Sequence, residues 1–216
     1  MKSNARGKVL MLIGALFVAC ALILTGYNIF RTKSAESSAR KALLALKGFV
    51  PASDHSYGDG DNSLLQIRDK DEIEIPDYVL NPEMNMPEAE IDGWAYIGYL
   101  EICDLAAELP VITEWSYSGL NVAPCRYFGS AYTNNLVLAA HNYESHFGKL
   151  NELSPGSMII FTDIDGNNFL YEVSLIETLL PTDVEEMTSG EWDLTLFTCT
   201  LGGASRVTVR CEQVYE

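Results

Sequence analysis

Basic residues are scarce beyond residue 50. Residues 51–216 hold six lysines and arginines against 29 acids, a formal −23 in a chain whose total is −16. A body of that sign repels a polyanion, so nucleic-acid binding is excluded as a function class. Histidine is scarcer still, three in 216 residues, and the three make no zinc set. The five cysteines (Cys20, Cys103, Cys125, Cys199, Cys211) include no C-x-x-C pair, which removes zinc-ribbon and dithiol redox readings. Cys103, Cys125 and Cys211 fall in or beside strand-like segments and read as small buried residues. No internal repeat is present. One stretch has no charge at all: residues 9–30, between Lys8 and Arg31. As a helix it would measure about 33 Å, enough to cross a bilayer. It is long for a signal peptide, and Leu24, Thr25, Gly26 and Tyr27 offer no small-x-small cleavage site, so an uncleaved anchor is expected. Basic residues flank it on both sides, and charge alone leaves its orientation open.

Past the anchor, residues 34–47 carry Ala35, Ala39, Ala42, Leu43 and Leu46 at helical spacing, with Gly48 placed to end the helix. This segment is either a stalk docked on a folded body or a helix lying on lipid headgroups. Residues 51–90 turn to Asp, Ser, Gly, Asn and Pro and read as a linker, with a short ordered piece at 73–80. His55, inside it, is assigned no role. From residue 91 the pattern is β. Strands are expected at 93–102, 109–113, 125–128, 136–140, 158–162, 169–176, 194–199 and 206–214, with one short helix at 144–153. Seven or eight short strands separated by turn signals predict a closed or nearly closed β-barrel. Asp163, Asp165 and Asn167 alternate as oxygen ligands would, but the remainder of an EF-hand loop is missing. A hairpin turn accounts for them better than calcium does, and no cofactor is expected.

The chemistry centres on the strand Leu194, Thr195, Leu196, Phe197, Thr198, Cys199, which ends at a Gly202-Gly203 turn and Arg206. A thiol at a strand end, a base to deprotonate it and a donor for an oxyanion are the needs of thiol acyl transfer. His141, at the end of the 136–140 strand, and Arg206 supply the last two. Each also has a plainer reading: a buried structural cysteine, a satisfied strand-end histidine, a surface counterion in an acidic body. His146 competes with His141, and Arg210, on the same face as Arg206 by the period of two, is the fallback for the arginine.

Thr195-Leu196-Phe197-Thr198-Cys199 resembles the T-L-x-T-C signature of sortases, membrane-bound cysteine transpeptidases of Gram-positive bacteria. Ala139-Ala140-His141-Asn142 is similar to that family's histidine strand, and Gly93-Trp94-Ala95-Tyr96-Ile97 to its first strand, so the resemblance runs from 92 to 212. It implies an eight-stranded sortase barrel at 91–216, outside the cell. Before it would come a cytoplasmic tail at 1–8, a transmembrane anchor at 9–30 and a juxtamembrane helix and linker at 31–90. It implies Cys199 as nucleophile, His141 as general acid/base and Arg206 as the catalytic arginine, with Thr198 and Asn142 beside the substrate. The substrates it implies are surface proteins with an LPxTG-like sorting signal. Their thioester would pass to an amine of peptidoglycan or to a pilin lysine. The short Cys199-to-Arg206 spacing and the lack of an aromatic lid motif in the linker point to a housekeeping or single-substrate role, class B-like or related. Two rivals stand beside this reading: a cysteine endopeptidase that delivers the acyl group to water, and a catalytically silent extracellular barrel that binds partners.

Overall fold

The computed structural model describes residues 3–51 and 75–215, with side chains from residue 7. The chain opens with α1 (Ser3–Phe49), one helix of 47 residues. The anchor and the 34–47 helix, expected as separate pieces, are a single rod about 70 Å long. Nothing between Phe30 and Ser34 breaks it, because Arg31, Thr32 and Lys33 all accept helical geometry and the Thr32 hydroxyl donates back to Asn28 O at 3.1 Å. Its two halves have opposite surroundings. The uncharged half is exposed along its length, and among the described residues α1 is the helix long and apolar enough to span a membrane. In the second half Ala35, Ala39, Ala42, Leu43 and Leu46 are buried. Small residues on that stripe let the helix backbone lie close against the body, and Leu46 enters a core with Tyr96, Ile112 and Cys125. Lys47 Nζ ends the contact with an ion pair to Glu108 at 2.7 Å.

After α2 (Asp77–Leu80), the only part of the ordered piece expected at 73–80 that is helical among the described residues, the chain enters nine strands. They are β1 (Ala89–Ile91), β2 (Trp94–Ile102), β3 (Ala107–Ile112), β4 (Cys125–Phe128), β5 (Leu136–Ala139), β6 (Met158–Asp163), β7 (Asn168–Leu179), β8 (Leu194–Cys199) and β9 (Arg206–Gln213). A four-residue helix, α3 (Val184–Met187), lies between β7 and β8. The sheet runs β2-β3-β4-β5-β8-β9-β7-β6 and returns to β2, an eight-stranded closed barrel with β1 as a short flank on β2. Closure depends on Gly98, which pairs with Val111 on one side and Asp163 on the other. Its φ is +147°, and a Cβ there would stand 2.0 Å from Thr162 O, so no side chain fits.

The expected strands are present, and their period of two sorts inside from outside. Leu194 and Leu196 of β8 join Leu100, Leu138, Ile159, Phe161, Tyr171 and Val209 in the barrel interior, where each side chain of this size contributes about 1.5–3 kcal/mol. Thr195, Phe197 and Cys199 point the other way. The predicted helix at 144–153 is not there: the segment is a run of tight turns ending in a 3-10 turn at Leu150–Glu152. Its buried apolar residues Phe147, Leu150 and Leu153 recur every three residues, the period of the tighter helix. Gly148 sits where a Cβ would meet Tyr143 O at 2.7 Å. Cys125 and Cys211 are buried as expected, whereas Cys103 is exposed. His55 and most of the linker lie outside the described residues.

Candidate active site

Two features of the topology fix the site. First, β5 and β8 are parallel neighbours, made so because the β6–β7 hairpin crosses over between them, so both strands finish at the same rim of the barrel. Their register has a constant offset, Leu136 with Leu194 through Ala139 with Phe197. It continues past the strand ends: Ala140 N donates to Phe197 O at 3.2 Å, and the Thr198 hydroxyl donates to Ala140 O at 2.8 Å across the same separation of 58 residues. One step further, that offset sets His141 beside Cys199. Second, β9 runs antiparallel to β8 and begins at this rim, with Arg206 directly opposite Cys199. Three strands thus bring the imidazole, the thiol and the guanidinium into one row across the sheet, on the outer face.

These side chains line a groove of about 320 Å³. Ala139, Phe197 and Cys199 form its floor. The β3–β4 connection and β4 supply one wall, Trp115, Tyr117, Leu120 and Tyr127, and the β7–β8 connection the other, Leu180, Pro181, Val184 and Met187. The first wall is a ladder of edge-on rings: Tyr117 to Trp115 at 4.9 Å, Trp115 to Tyr127 at 6.0 Å, Tyr127 to Phe197 at 5.2 Å. Such contacts hold aromatic side chains in place beyond what their area burial gives. The groove is therefore a mostly apolar trough that also carries an imidazole, a thiol and a guanidinium.

Across residues 100–214 the sequence matches the family model described as Sortase domain. The chain belongs to the sortase family. The solved structures it is similar to include sortase C from Clostridium perfringens, at 25% identity over 65% of this chain and 76% of that one, TM-score 0.50. They also include Clostridium perfringens sortase C with the C-terminal cell wall sorting motif, at 24% identity over 61% and 75%, TM-score 0.51. No curated protein matches.

Within this sortase barrel the competing residues separate cleanly. His141 is half-buried and lines the groove. Burial, and secondarily the positive charge of Arg31 on α1, hold its pKa below the ordinary 6.5, so the ring is a neutral base at physiological pH. His146 is 2% exposed and outside the groove lining, with neither ring nitrogen hydrogen-bonded among the described residues. Burial and the neighbouring His141 push its pKa down to about 4. Tyr143 stands between the two, its ring 4.8 Å from His141 and 5.5 Å from His146.

The arginines divide the same way. Arg206 donates through Nη1 to Gly203 O at 3.2 Å and to Ser205 O at 3.0 Å. Those bonds fold the guanidinium against the compact turn, where Gly202 and Gly203 take φ of +86° and +75° and so need no side chain. Arg210, the fallback, is buried and does not reach the groove. Its Nε donates to Glu177 Oε1 at 2.7 Å, Nη1 to the Thr195 hydroxyl at 3.1 Å, and Nη2 to Glu186 O at 3.0 Å. It fastens α3, and with it one groove wall, to the sheet. Thr198 lines the groove, but its hydroxyl is engaged by Ala140 O; Asn142, half-buried just past His141, is not part of the lining.

The β7–β8 wall has a weak signal in the sequence, Leu180, Val184 and Met187 at helical spacing. The aromatic wall is absent from the sequence reading above; its signal is the pair Trp115 and Tyr117 in a stretch without charge. The Asp163 carboxylate is taken up inside its hairpin, accepting from the Tyr132 hydroxyl at 2.7 Å and from Asn167 N at 2.9 Å and Nδ2 at 2.8 Å.

Proposed function

We propose that the chain is a membrane-anchored transpeptidase that cleaves an LPxTG-like sorting signal through a thioester on Cys199 and passes the acyl group to an amine. The placement of His141, Cys199 and Arg206 in one row at the reactive end of an apolar trough carries this reading. The thiol proton goes to the neutral imidazole of His141 as Sγ bonds to the scissile carbonyl carbon. The oxygen of the tetrahedral intermediate takes up the electron pair and accepts from the guanidinium of Arg206, whose Nε and Nη2 make no hydrogen bond among the described residues. When the intermediate collapses, the C–N bond breaks and His141 returns its proton to the departing amine, leaving a thioester. An incoming amine, from a peptidoglycan precursor or a pilin lysine, then attacks that carbonyl and restores the thiol. No step requires a metal or organic cofactor. The apolar walls suit the leucine and proline of such a signal, and one of the similar Clostridium perfringens structures is of a sortase C with the C-terminal cell wall sorting motif.

The test is to incubate the full chain in detergent with a sorting pentapeptide, with and without a primary amine. A product whose mass includes the amine supports transfer. Free acid in both reactions would point to a hydrolase instead, and unchanged peptide to a silent binding barrel.

A further inference from the structure

α1 leaves its uncharged run at Phe30, and the next side chain already touches the barrel: Arg31 Nη2 donates to Asn121 Oδ1. Asn121 belongs to the β3–β4 connection, and its Nδ2 donates to Tyr117 O at 2.9 Å. The end of the uncharged run and the aromatic wall of the groove are therefore one hydrogen bond away on either side of a single asparagine. Around that asparagine, residues 115–125 form a stretch with no charged side chain, in a body with a formal −23 over residues 51–216. Trp115 is 38% and Tyr117 77% exposed, although the rest of the ladder they begin is packed inward.

We propose that residues 115–121 rest in the headgroup layer of the bilayer that α1 spans, so that the catalytic groove opens at the lipid surface. This rests on reading residues 9–30 as a membrane span and the groove as the active site. An arginine directly after a span sits at the edge of the hydrocarbon, its stem along the chains and its head in the interface. The headgroup layer is roughly 5–8 Å thick on each side. A loop in hydrogen-bond contact with Arg31 is thereby held at this layer. Its composition fits that place, since Trp and Tyr favour the interface, where an apolar body and a polar tip are both satisfied. The buried stripe from Ala35 to Leu46 fixes the barrel to the rod, so the loop is held there rather than visiting.

The test uses the full chain in phosphatidylcholine vesicles whose acyl chains are brominated close to the headgroup, reading tryptophan emission. Trp115 is one of three tryptophans, so part of the emission, at most its one share in three, is expected to be quenched. Trp115→Phe should lose that quenching, and Tyr117→Trp should increase it. Equal quenching in the native chain and Trp115→Phe, or none in either, overturns the proposal if alkaline carbonate leaves the chain in the membrane. Release of the chain by carbonate overturns the membrane span and the proposal together. The readout involves no turnover, so a failure of the catalytic reading leaves it unchanged.

Discussion

Arg206 and Arg210 share one face of one strand, and His141 and His146 are five residues apart on one connection, yet each pair is divided between two regions of the molecule. The members at the rim, His141 and Arg206, line an open groove. The members beneath it are enclosed: Arg210 is bonded to a carboxylate, a hydroxyl and two backbone carbonyls, and the His146 ring has no hydrogen-bond partner among the described residues. The same two side-chain types therefore stand open to a ligand in one layer and are packed into the body in the next. Distance from the strand end decides which. The hairpin turn keeps the first arginine of β9 at the mouth of the groove, whereas four residues further along α3 has closed over the sheet.

That contrast can be broken by substitution. Replacing His141 with Ala should reduce kcat by about 10³–10⁴-fold, as loss of a base coupled to a nucleophile does, with the melting temperature little changed. Arg206→Ala should reduce kcat by about 10²–10³-fold, again in a folded protein. Arg210→Ala should act through stability, costing about 1.5–3 kcal/mol by removing the charge-assisted hydrogen bonds that hold Glu177 and fasten α3. Thermal unfolding should reveal this, and activity per folded molecule should fall far less than in Arg206→Ala. If the Arg206 variant proves unstable and the Arg210 variant stable but inactive, the two roles are reversed.

Acid sharpens the comparison of the histidines. His146 is buried neutral with a folded pKa of about 4, below its unfolded value, so the unfolded chain binds the proton more readily. Its contribution is complete above pH 6.5 and is lost as pH falls towards 4, about 3 kcal/mol in all. His146→Leu should flatten that part of the stability profile measured by denaturant titration. His141 should set the acid limb of kcat/KM below 6.5, because protonation removes the base. The smallest expected effect is that of Arg31→Gln, which removes a positive charge from beside His141 and should shift that limb upward, towards 6.5.

Much of this was legible because barrel strands advertise themselves. The alternation of Leu194 and Leu196 with Thr195 and Phe197 says which way Cys199 faces, and the Gly-Gly turn says that Arg206 returns beside it. What sequence spacing could not show is the parallel pairing of β5 with β8, a consequence of the crossover, without which His141 and Cys199 are merely 58 residues apart. The segment after His141 misled because Phe147, Leu150 and Leu153 repeat every three residues, a period easily taken for 3.6 over one turn. Sequence alone divides α1 in two because charge and composition change at Arg31, although backbone geometry does not. Thr198 lines the groove as its place in the motif implies, and its hydroxyl also ties the ends of β8 and β5 together, which the motif does not show.

The central claim is that Cys199 receives the acyl group with the help of its two neighbours in the row, and intact-protein mass spectrometry tests it most directly. Mixed with a sorting pentapeptide and no amine, the chain should gain the mass of the peptide's N-terminal fragment. Digestion should place that mass on Cys199 rather than on the exposed Cys103, and adding amine should remove it as a transpeptidation product. An adduct on another cysteine, or product formed by Cys199→Ala, would contradict the account.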